Sequence, residues 1–496
     1  MKCKKRMSVA VTLFAMLAMA IGLPAQDNLT KPKHQQYKLY DVGTFGGPAS
    51  YGSIQATSLT PAGAVGSGET SIPDPFPVCF NSECLVAHAL LWRNGTVTDL
   101  GALPGNHGGN SSYGFAINNS GLVAGISENG SVDPGTGYPE VDAVVWYNGQ
   151  IINLGTFGGT QSQGLMINNR GQVVGTATNA VADPFSLGGW YPATTQTRAF
   201  LWEHGAKRDL GTLGGPDAVG FSVNQSGQVI GYSYTSYTPN PDTGVPTIDP
   251  FLWDNGKMID LGSFGGEAGY PQWINNKGQV VGGSYLPGFQ ALHAFLWYKG
   301  ALNDLGTLGG SVSNSFWINE AGDAVGGSLL AGDQTLEAFL WSHGRMTSLG
   351  HLAQCAGSSG WSINAGGQIV GPNHGCPGIS SDRGFLWEKG GPMVDLNALV
   401  QPPSDIVVAD PLEIDDRGHI VANAVLPSGD IHLVVLVPDG DCDCACEQRI
   451  AGSENAPATQ PATAATSPAR DKAVDWLRNP WGRRLPMPGQ RGAPSN

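Results

Sequence analysis

The sequence has few charged residues and, after its first residues, no long apolar run. Charged residues make up 13% of the 496 positions. Beyond Leu23 no segment approaches the ~20 apolar residues that a membrane-spanning helix requires. A Gly-x-Ser-x-Gly turn, a His-Glu-x-x-His helix and a phosphate-binding loop are also missing. We therefore predict no later membrane-spanning helix, and no motif assigns a catalytic residue, a metal or a cofactor.

Basic residues are scarce, with 26 Lys and Arg against 40 Asp and Glu. A chain this acidic repels nucleic acid, so we expect no nucleic-acid partner. The charge is uneven, because residues 449–496 are basic whereas the body is acidic. This last segment is rich in Ala and Pro and has no apolar period, which predicts a disordered tail. The alternative is that its basic end, with Trp476 and Trp481, docks on the acidic body.

The N-terminus has the pattern of an export signal. Four basic residues precede the apolar residues 7–23, and Ala25 offers a small-residue cleavage site. Residues 1–25 are therefore predicted to be a signal peptide, with an uncleaved N-terminal anchor as the alternative. Export implies a secreted or periplasmic protein that has no membrane span after cleavage, and we expect it to be a monomer.

Cysteines of an exported protein are expected to form disulfides. The natural local pairs are Cys79 with Cys84 and Cys355 with Cys376. Residues 439–448 form a short acidic, cysteine-rich segment with three more cysteines, of which Cys442 and Cys446 are the candidate pair. A thiolate metal site there, with Cys444 as a third ligand, is the less favoured alternative.

A repeated unit of about 44 residues, with longer copies, fills residues 37–438. Each copy has an aromatic strand that ends in Trp, a two-residue turn such as Asn94-Gly95, and a strand that ends in Asp-Leu-Gly. Asn-Gly favours a tight hairpin because both residues tolerate positive φ. The last sub-motif is Ile-Asn-x-x-Gly-x-Val-x-Gly, which predicts two strands joined by a tight turn at the Asn and Gly. Four short strands per unit are typical of a propeller blade.

The two ends of the array complement each other. The first copy begins with YKLYDVG, the strand that normally follows the Trp strand, without a Trp strand before it. The last copy ends with IHLVVLV, at the place of the Trp strand, without an Asp-Leu-Gly strand after it. If these segments pair, the array closes and leaves no sheet edge. We therefore predict an all-β fold, a closed β-propeller of eight four-stranded blades, with a seven-bladed propeller or a β-solenoid as the alternatives.

The phrases His-Ala-Phe-Leu-Trp, Asp-Leu-Gly-Thr-Leu-Gly-Gly and Ile-Asn-x-x-Gly-x-Val-Val-Gly resemble the HAF repeat family of probable extracellular bacterial proteins. The resemblance covers roughly residues 37–437 and implies export and a repeat architecture, without catalytic residues to carry over. One departure is the His itself, which stands at His88, His293 and His432. The other copies have Asp142, Arg198, Asp249, Glu337 and Arg383 at that position.

The repeated residues have structural interpretations. The strand-end Trp residues are expected to pack between blades, since every copy must bury the same face. The Asp of Asp-Leu-Gly and the Asn of Ile-Asn are expected to accept backbone N–H bonds from the turns that follow them.

Long insertions are the candidate functional segments. Residues 67–87, 126–141, 176–197 and 232–248 lie between the Val-x-Gly strand and the next Trp strand in the first four copies, and equivalent loops emerge on one face. Aromatic side chains beside an Asp could stack on sugars or bind a peptide. The predicted binding residues are Asp183, Phe185, Trp190, Tyr191, Tyr232, Tyr234 and Tyr237.

These features predict a non-enzymatic binding or scaffold protein that recognises an extracellular glycan or protein through the loops of its first four repeats. One alternative is a polysaccharide lyase or hydrolase whose site is assembled across blades, with carboxylates or His in a central pocket. Another alternative is a purely structural matrix component.

Overall fold

The computed structural model describes residues 34–53, 57–76, 81, 83–105, 110–188, 191–289 and 291–440. The chain divides into two compact parts, residues 1–35 and 36–496, and every described strand lies in the second part. No described helix is long and apolar enough to cross a membrane. The predicted signal peptide, residues 441–448 of the cysteine-rich segment and the basic tail lie outside the described residues.

Strands make up nearly all of the regular structure of the described residues, and units 2 to 6 contribute four each in sequence. Strand β1 (Tyr37–Asp41) comes before the first unit. Unit 1 contains β2 (Gly46–Tyr51), β3 (Leu59–Thr60), β4 (Gly63–Pro73), β5 (Leu85–Arg93) and β6 (Thr96–Asp99). Unit 2 contains β7 (Ser112–Ile117), β8 (Val123–Val132), β9 (Pro139–Tyr147) and β10 (Gln150–Asn153). Unit 3 contains β11 (Gly158–Ile167), β12 (Val173–Ala182), β13 (Thr195–Glu203) and β14 (Ala206–Asp209).

The later units are shorter. Unit 4 contains β15 (Ala218–Val223), β16 (Val229–Tyr234), β17 (Ile248–Asp254) and β18 (Lys257–Asp260). Unit 5 contains β19 (Gly269–Ile274), β20 (Val280–Tyr285), β21 (Leu292–Tyr298) and β22 (Ala301–Gly306). Unit 6 contains β23 (Gly309–Ile318), β24 (Ala324–Leu330), β25 (Leu336–Ser342) and β26 (Arg345–Gly350).

The last two units complete the array. Unit 7 contains β27 (Gly357–Ser358), β28 (Ser362–Ile363), β29 (Ile369–His374), β30 (Asp382–Trp387) and β31 (Val394–Asp395), followed by a 3₁₀ turn at Leu396–Ala398. Unit 8 contains β32 (Val407–Ile414), β33 (Ile420–Val425) and β34 (Ile431–Pro438). Within every unit the paired strands run antiparallel; in unit 1 both β2 and β3 pair with β4, and in unit 7 both β27 and β28 pair with β29.

The pairing produces six sheets. Two of them have eight strands, because a single parallel residue pair joins unit 2 to unit 3 at Val141 and Gln161, and unit 5 to unit 6 at Leu292 and Val312. The remaining sheets have four or five strands each. The fold is therefore all-β and built from many small antiparallel sheets, as predicted.

The first strand of the chain pairs with the last. Strand β1 lies antiparallel to β34, with Tyr37 opposite Pro438 and Asp41 opposite Val434. Units 1 and 8 are also in contact, since Gly52 N donates to Asn423 Oδ1 at 2.9 Å and Leu433 N donates to Ser50 Oγ at 2.9 Å. The missing fourth strand of unit 8 is thus supplied by the N-terminal segment.

The repeated glycine of Val-x-Gly is required by a bulge in the neighbouring strand. The register between β11 and β12 shifts between Gly164 and Met166, so a first-strand carbonyl approaches the second strand closely. A Cβ at Gly175 would overlap the carbonyl oxygen of Gln163. Unit 2 repeats the arrangement at Gly125, where a Cβ would overlap the carbonyl oxygen of Tyr113. This glycine therefore recurs because no side chain fits.

The core lies between neighbouring units. Trp146 is 3% exposed, packs with Val65 and Ala89 of unit 1, and donates its Nε1–H to Gly101 O at 3.2 Å. None of the strand-end Trp residues is exposed. Burying one such indole contributes roughly 1.5–3 kcal/mol or more of transfer free energy, so the repeated Trp stabilises the contact between units.

The Asp of Asp-Leu-Gly caps its turn in every copy. Its carboxylate, or the equivalent amide or hydroxyl, accepts a backbone N–H two residues later, as Asp99 Oδ1 does from Gly101 N at 2.7 Å. The equivalent acceptors are Asp41, Asn153, Asp209, Asp260, Asp304, Ser348 and Asp395. The capping interpretation of this motif is confirmed.

In most units a polar side chain on the third strand, at the position that His88 occupies in unit 1, bonds the capping residue on the neighbouring fourth strand. His88 and Asp99 are joined by a 2.9 Å bond. We call these two positions the cross-strand pair. Pairs joined in the same way are Asp142–Asn153, Arg198–Asp209, His293–Asp304, Glu337–Ser348, Arg383–Asp395 and His432–Asp41. Unit 4 has Asp249 beside Asp260, where burial, and then the charge of Asp260, raises the pKa of Asp249 to about 6.

Among the described cysteines, Cys355 and Cys376 form the disulfide that their spacing predicts. Cys84 is also disulfide-bonded. Its predicted partner Cys79 and the predicted pair Cys442 and Cys446 lie outside the described residues. The observed bridge closes a segment of 21 residues between β26 and β30.

Candidate binding surface

The antiparallel order of strands gives each unit two ends. The turn between the first and second strands and the turn between the third and fourth strands lie at one end, here called the turn end. The loop between the second and third strands and the connection to the next unit lie at the other, the loop end. All four long insertions therefore emerge at the loop end.

The insertions of the first three units are extended hairpins. Strands β4, β8 and β12 have 11, 10 and 10 residues, against 6 in β16 and β20. These hairpins and the insertion of unit 4 carry exposed apolar side chains at Ile72, Val132, Val181 and Tyr237. Such residues, raised above the body of each unit, are available for contact with a partner.

The insertions of units 1 to 3 each contain the dipeptide Asp-Pro, and the side chain of this Asp caps a turn in the insertion. Asp74 accepts from Phe76 N at 2.9 Å, Asp133 accepts from Gly135 N at 2.7 Å, and Asp183 accepts from Phe185 N at 2.9 Å. Asp133 also accepts from Thr160 Oγ1, at the start of the next unit, at 2.5 Å. The Asp therefore shapes the turn and ties the insertion to the following unit.

Three of the predicted binding residues have buried side chains. Tyr191, Tyr232 and Tyr234 are 2%, 8% and 3% exposed. The Tyr191 ring stacks on Tyr138 at a centroid distance of 4.8 Å, and Tyr234 OH donates to Phe185 O at 2.9 Å.

The remaining predicted binding residues differ from one another. Phe185 is half-buried against the core of units 4 to 6, Tyr237 is 63% exposed, and Asp183 is buried. Trp190 lies outside the described residues. The insertion of unit 3 therefore folds inward, and among the described predicted residues only Tyr237 presents its ring to solvent.

A buried carboxyl pair explains why this insertion folds inward. Asp217, at the start of unit 4, accepts from Leu187 N at 2.5 Å and from Thr197 N at 2.9 Å, so it holds both sides of the insertion. Asp183 lies beside it, and both side chains are buried. Burial, and then the neighbouring Asp183, raise the pKa of Asp217 to about 7, while the two N–H bonds oppose the rise. Asp217 is therefore protonated below that pH.

Two further buried acids accept backbone N–H bonds. Within unit 2, Glu128 accepts from Ser111 N at 2.7 Å, and burial raises its pKa to about 8. Glu413 of unit 8 accepts from Ser58 N of unit 1 at 2.8 Å and from Leu59 N at 3.0 Å, and burial raises its pKa to about 8 as well. Both acids are too buried to contact a partner.

Cations are almost confined to the turn end. Within residues 36–440, the Lys and Arg residues at the loop end are Arg198 and Arg383. Each is bonded at 2.9 Å to the Asp of its own cross-strand pair, Asp209 and Asp395. Each of the others lies within three residues of a turn at the turn end, or near the end of β1 that begins there. The Nζ of Lys207 nevertheless reaches the loop end, where it donates to Gly155 O at 2.5 Å and to Thr156 O at 2.8 Å in the connection between units 2 and 3. The loop end therefore has acidic side chains in all eight units, and its described cations are the two paired arginines and this one ammonium.

This acidity does not form a metal site in the described part of the chain. No group of three His, Cys, Asp or Glu residues there is arranged to hold a metal ion. The carboxylates are instead spread around the units, most of them as turn caps or cross-strand pairs. The loop end thus provides a diffuse negative field and exposed apolar tips.

No protein-family model and no curated protein matches the chain. Solved structures match over about two thirds of it. The β-propeller domain of the Trilobed protease from Pyrococcus furiosus aligns with a TM-score of 0.40 and 10% identity, over 66% of this chain and 94% of that one. The acylaminoacyl peptidase of Pyrococcus horikoshii aligns with a TM-score of 0.36 and 11% identity, over 64% of this chain and 49% of that one. The chain is thus similar to β-propeller structures, at a distance that carries no inference about activity.

Proposed function

We propose that the chain is an exported, non-enzymatic binding protein of the HAF repeat type, folded as a closed eight-bladed propeller, which binds a cationic apolar segment of an extracellular protein at its loop end. The observation that carries the proposal is the separation of charge between the two ends. Carboxylates accumulate where the long hairpins project, and the two arginines there are neutralised.

The closed ring is supported by the contacts between the first and last units. Strand β1 provides the fourth strand of unit 8, and the His432–Asp41 pair completes the cross-strand series. Ser58 and Leu59 of unit 1 donate to Glu413 of unit 8. A β-solenoid has no reason to bring its first and last repeats together.

A protein segment suits the loop end better than a glycan does. Glycan binding of the expected kind needs flat aromatic faces, yet Tyr191, Tyr232 and Tyr234 are buried. The exposed tips are instead Ile72, Val132, Val181 and Tyr237, on the insertions of the end that has acidic side chains in every unit. Apolar tips in a negative field favour a Lys- or Arg-rich segment that also has apolar side chains.

A designed cationic peptide tests the proposal. We expect the intact protein to bind a Lys/Leu peptide of about 12 residues, and the affinity to fall about tenfold or more between about 50 and about 300 mM salt because the contacts are exposed. An acidic peptide of the same length should not bind. Neutral oligosaccharides should not compete for the same site.

Matched charge reversals locate the surface. Asp242→Lys, combined with Tyr237→Ala, changes the insertion of unit 4 at exposed side chains and should weaken peptide binding by roughly fivefold. Glu203→Lys makes the same change of charge at the turn end and should have little effect. Equal effects of the two changes, or peptide binding that salt does not alter, would reject the loop end as the binding surface.

A further inference from the structure

The turn end contains a ladder of buried asparagines that links successive units. Asn168 Nδ2 donates to Asn224 O at 2.9 Å, and Asn224 Nδ2 donates to Asn275 O at 3.1 Å. The same bond continues from Asn118, Asn275, Asn319 and Asn364, each to the carbonyl of the following unit. Because each Asn also accepts N–H bonds from its own turn, the ladder places the first-strand ends at fixed positions relative to one another.

The residue after each ladder Asn forms a second set of bonds around the same end. Asn119 N donates to Asn169 Oδ1, Asn169 N donates to Gln225 Oε1, and Gln225 N donates to Asn276 Oδ1, all at 2.9 Å. Asn276 donates both its N and its Nδ2 to Glu320 Oε1 at 2.9 Å. We call these five residues the amide crown. The bonds to Oδ1 and Oε1 fix each amide plane, and the NH₂ groups of Asn169 and Gln225 form no bond to another described residue.

The crown surrounds a cavity of about 190 Å³. Its walls come from units 1 to 6 and include Thr57, Ile117, Met166, Ser222 and Trp273. Trp273 is half-buried, and its ring stacks on that of Trp317 at a centroid distance of 3.6 Å and an angle of 18°. The stack holds one indole rigidly at the cavity wall, beside fixed amide groups.

We infer that this cavity binds one neutral sugar unit, either a monosaccharide or the end of a glycan chain. The volume lies below the ~300–1,000 Å³ of sites for drug-sized ligands, so it suits a ligand of about one ring. The indole can cover the C–H face of a pyranose, and the amides offer hydrogen-bond donors and acceptors to its hydroxyls.

Charged ligands do not fit this lining. The lining residues contain no Lys, Arg or His that could neutralise a phosphate or carboxylate. Their one acid, Glu320, already accepts two bonds from Asn276. The lining also lacks the carboxylate or His cluster that the lyase or hydrolase alternative requires, so binding without cleavage is the assigned role.

The inference concerns the turn end and is independent of the cationic partner proposed at the loop end. It is tested with methyl glycosides of glucose, galactose, mannose, xylose and arabinose on the intact protein, by saturation-transfer NMR and calorimetry. Glucuronate and glucosamine serve as the anionic and cationic comparison ligands. We expect saturable binding of at least one neutral glycoside and none of the charged ligands.

Two sets of variants assign the binding to this cavity. Trp273→Ala should abolish binding and Trp273→Phe should retain part of it. Because Trp273→Ala could also disturb the stack with Trp317, Asn169→Ala with Gln225→Ala provides a second test at exposed side chains. This double change removes two donors and should weaken binding about tenfold or more.

The matched control is Asn179→Ala with Gln196→Ala, a bonded amide pair at the loop end, which should leave sugar binding unchanged. Failure of every neutral glycoside to bind would overturn the inference. Binding of glucuronate or glucosamine alone would also overturn it. So would neutral-sugar binding that survives the Asn169 and Gln225 changes in a folded protein.

Discussion

His432, in the last strand, bonds Asp41, in the first, with Nδ1 at 2.8 Å from Oδ1 across 391 residues of sequence. Elsewhere the two members of a cross-strand pair belong to one hairpin, usually 11 residues apart. In unit 8 the same relationship is completed by the N-terminal strand. The His of the HAF phrase therefore has a structural role, and its replacements Asp142, Arg198, Glu337 and Arg383 each keep a bonding partner.

The pairing of β1 with β34 should determine the stability of the whole array. Tyr37 is fully buried, and its N and O bond the backbone of Leu399 and Gln401 at 2.9 and 2.8 Å. Tyr37→Ala should lower the free energy of unfolding by about 3–5 kcal/mol, measured by urea titration. The control Tyr147→Ala, on a ring that is 41% exposed, should cost less than about 0.5 kcal/mol. A loss at Tyr37 as small as the control's would mean that β1 is dispensable.

The His432–Asp41 pair should make stability depend on pH. Burial lowers the pKa of His432, but the bond to Asp41 and its charge outweigh burial and hold the pKa above the ordinary value. The folded state therefore binds this proton more tightly, so the contribution is complete below about pH 6 and is lost as the pH rises through the folded pKa. Comparison with His432→Gln should show a difference of about 1 kcal/mol at acidic pH that shrinks at alkaline pH. A difference that grows with pH would contradict this sign.

The asparagine ladder should contribute through bonds between units. Asn319 accepts from Ala321 N and Asp323 N at 3.0 Å and donates to Asn364 O at 3.2 Å. Asn319→Ala leaves all of these groups without their partner and should cost about 1–3 kcal/mol in urea unfolding. Asn319→Asp keeps the acceptor but loses the donor, so it isolates the bond to unit 7 and should cost less. An Asn319→Asp variant as stable as the unaltered protein would mean that Asn319 stabilises only its own turn and that its bond to Asn364 contributes nothing.

The Asp183–Asp217 pair should loosen the insertion of unit 3 as the pH rises. The pKa of Asp217 is raised by burial to about 7, so the folded state keeps a proton that the unfolded chain releases near its ordinary value. Stability from this site therefore falls between about pH 4 and about pH 7. Hydrogen exchange at the amides of Leu187 and Thr197, which bond Asp217, should accelerate over this range beyond its intrinsic pH dependence.

Asp183→Asn provides the matched control for that exchange experiment. The Asn keeps an acceptor for Phe185 N and can donate its NH₂ to Asp217, so it removes the charge of Asp183 but leaves Asp217 buried. The acceleration of exchange at Leu187 and Thr197 should then shift to lower pH without disappearing, because burial is the larger cause of the raised pKa. An Asp183→Asn variant with the same acceleration as the unaltered protein would place its cause elsewhere.

The repeated parts of the structure were predictable because each repeats a local rule. The third-to-fourth-strand turns have positive φ at Asn94, Asn148, His204, Asn255, Lys299 and His343, the backbone that Asn-Gly favours. The Asp caps and the pairing of the end strands were predictable from turn chemistry and from the complementary ends of the array. The partner of the side chain at this position was also accessible, because the capping Asp or its replacement stands 11 or 12 residues later in every hairpin.

The features that were not predictable depend on contacts between units. Tyr191 resembles an exposed loop aromatic in sequence, yet Asp217 of the next unit holds its insertion against the core. The cavity was missed because each unit contributes only a few residues to it, at positions that vary from copy to copy. Asn119, Gln225 and Glu320 occupy one such position, and their shared location becomes evident only when the units are assembled.

The register of β1 against β34 also determines how the protein responds to mechanical tension. Tyr37 lies opposite Pro438, and Gln36 O accepts from Asp439 N at 2.7 Å. The chain before β1 and the chain after β34 therefore leave the strand pair at the same end. A force that separates the two termini would break these backbone bonds one after another, starting at Gln36, instead of loading them together. The pair would therefore peel apart at low force. Attachment through both termini would open the array at this strand pair, whereas attachment through one terminus would leave it intact.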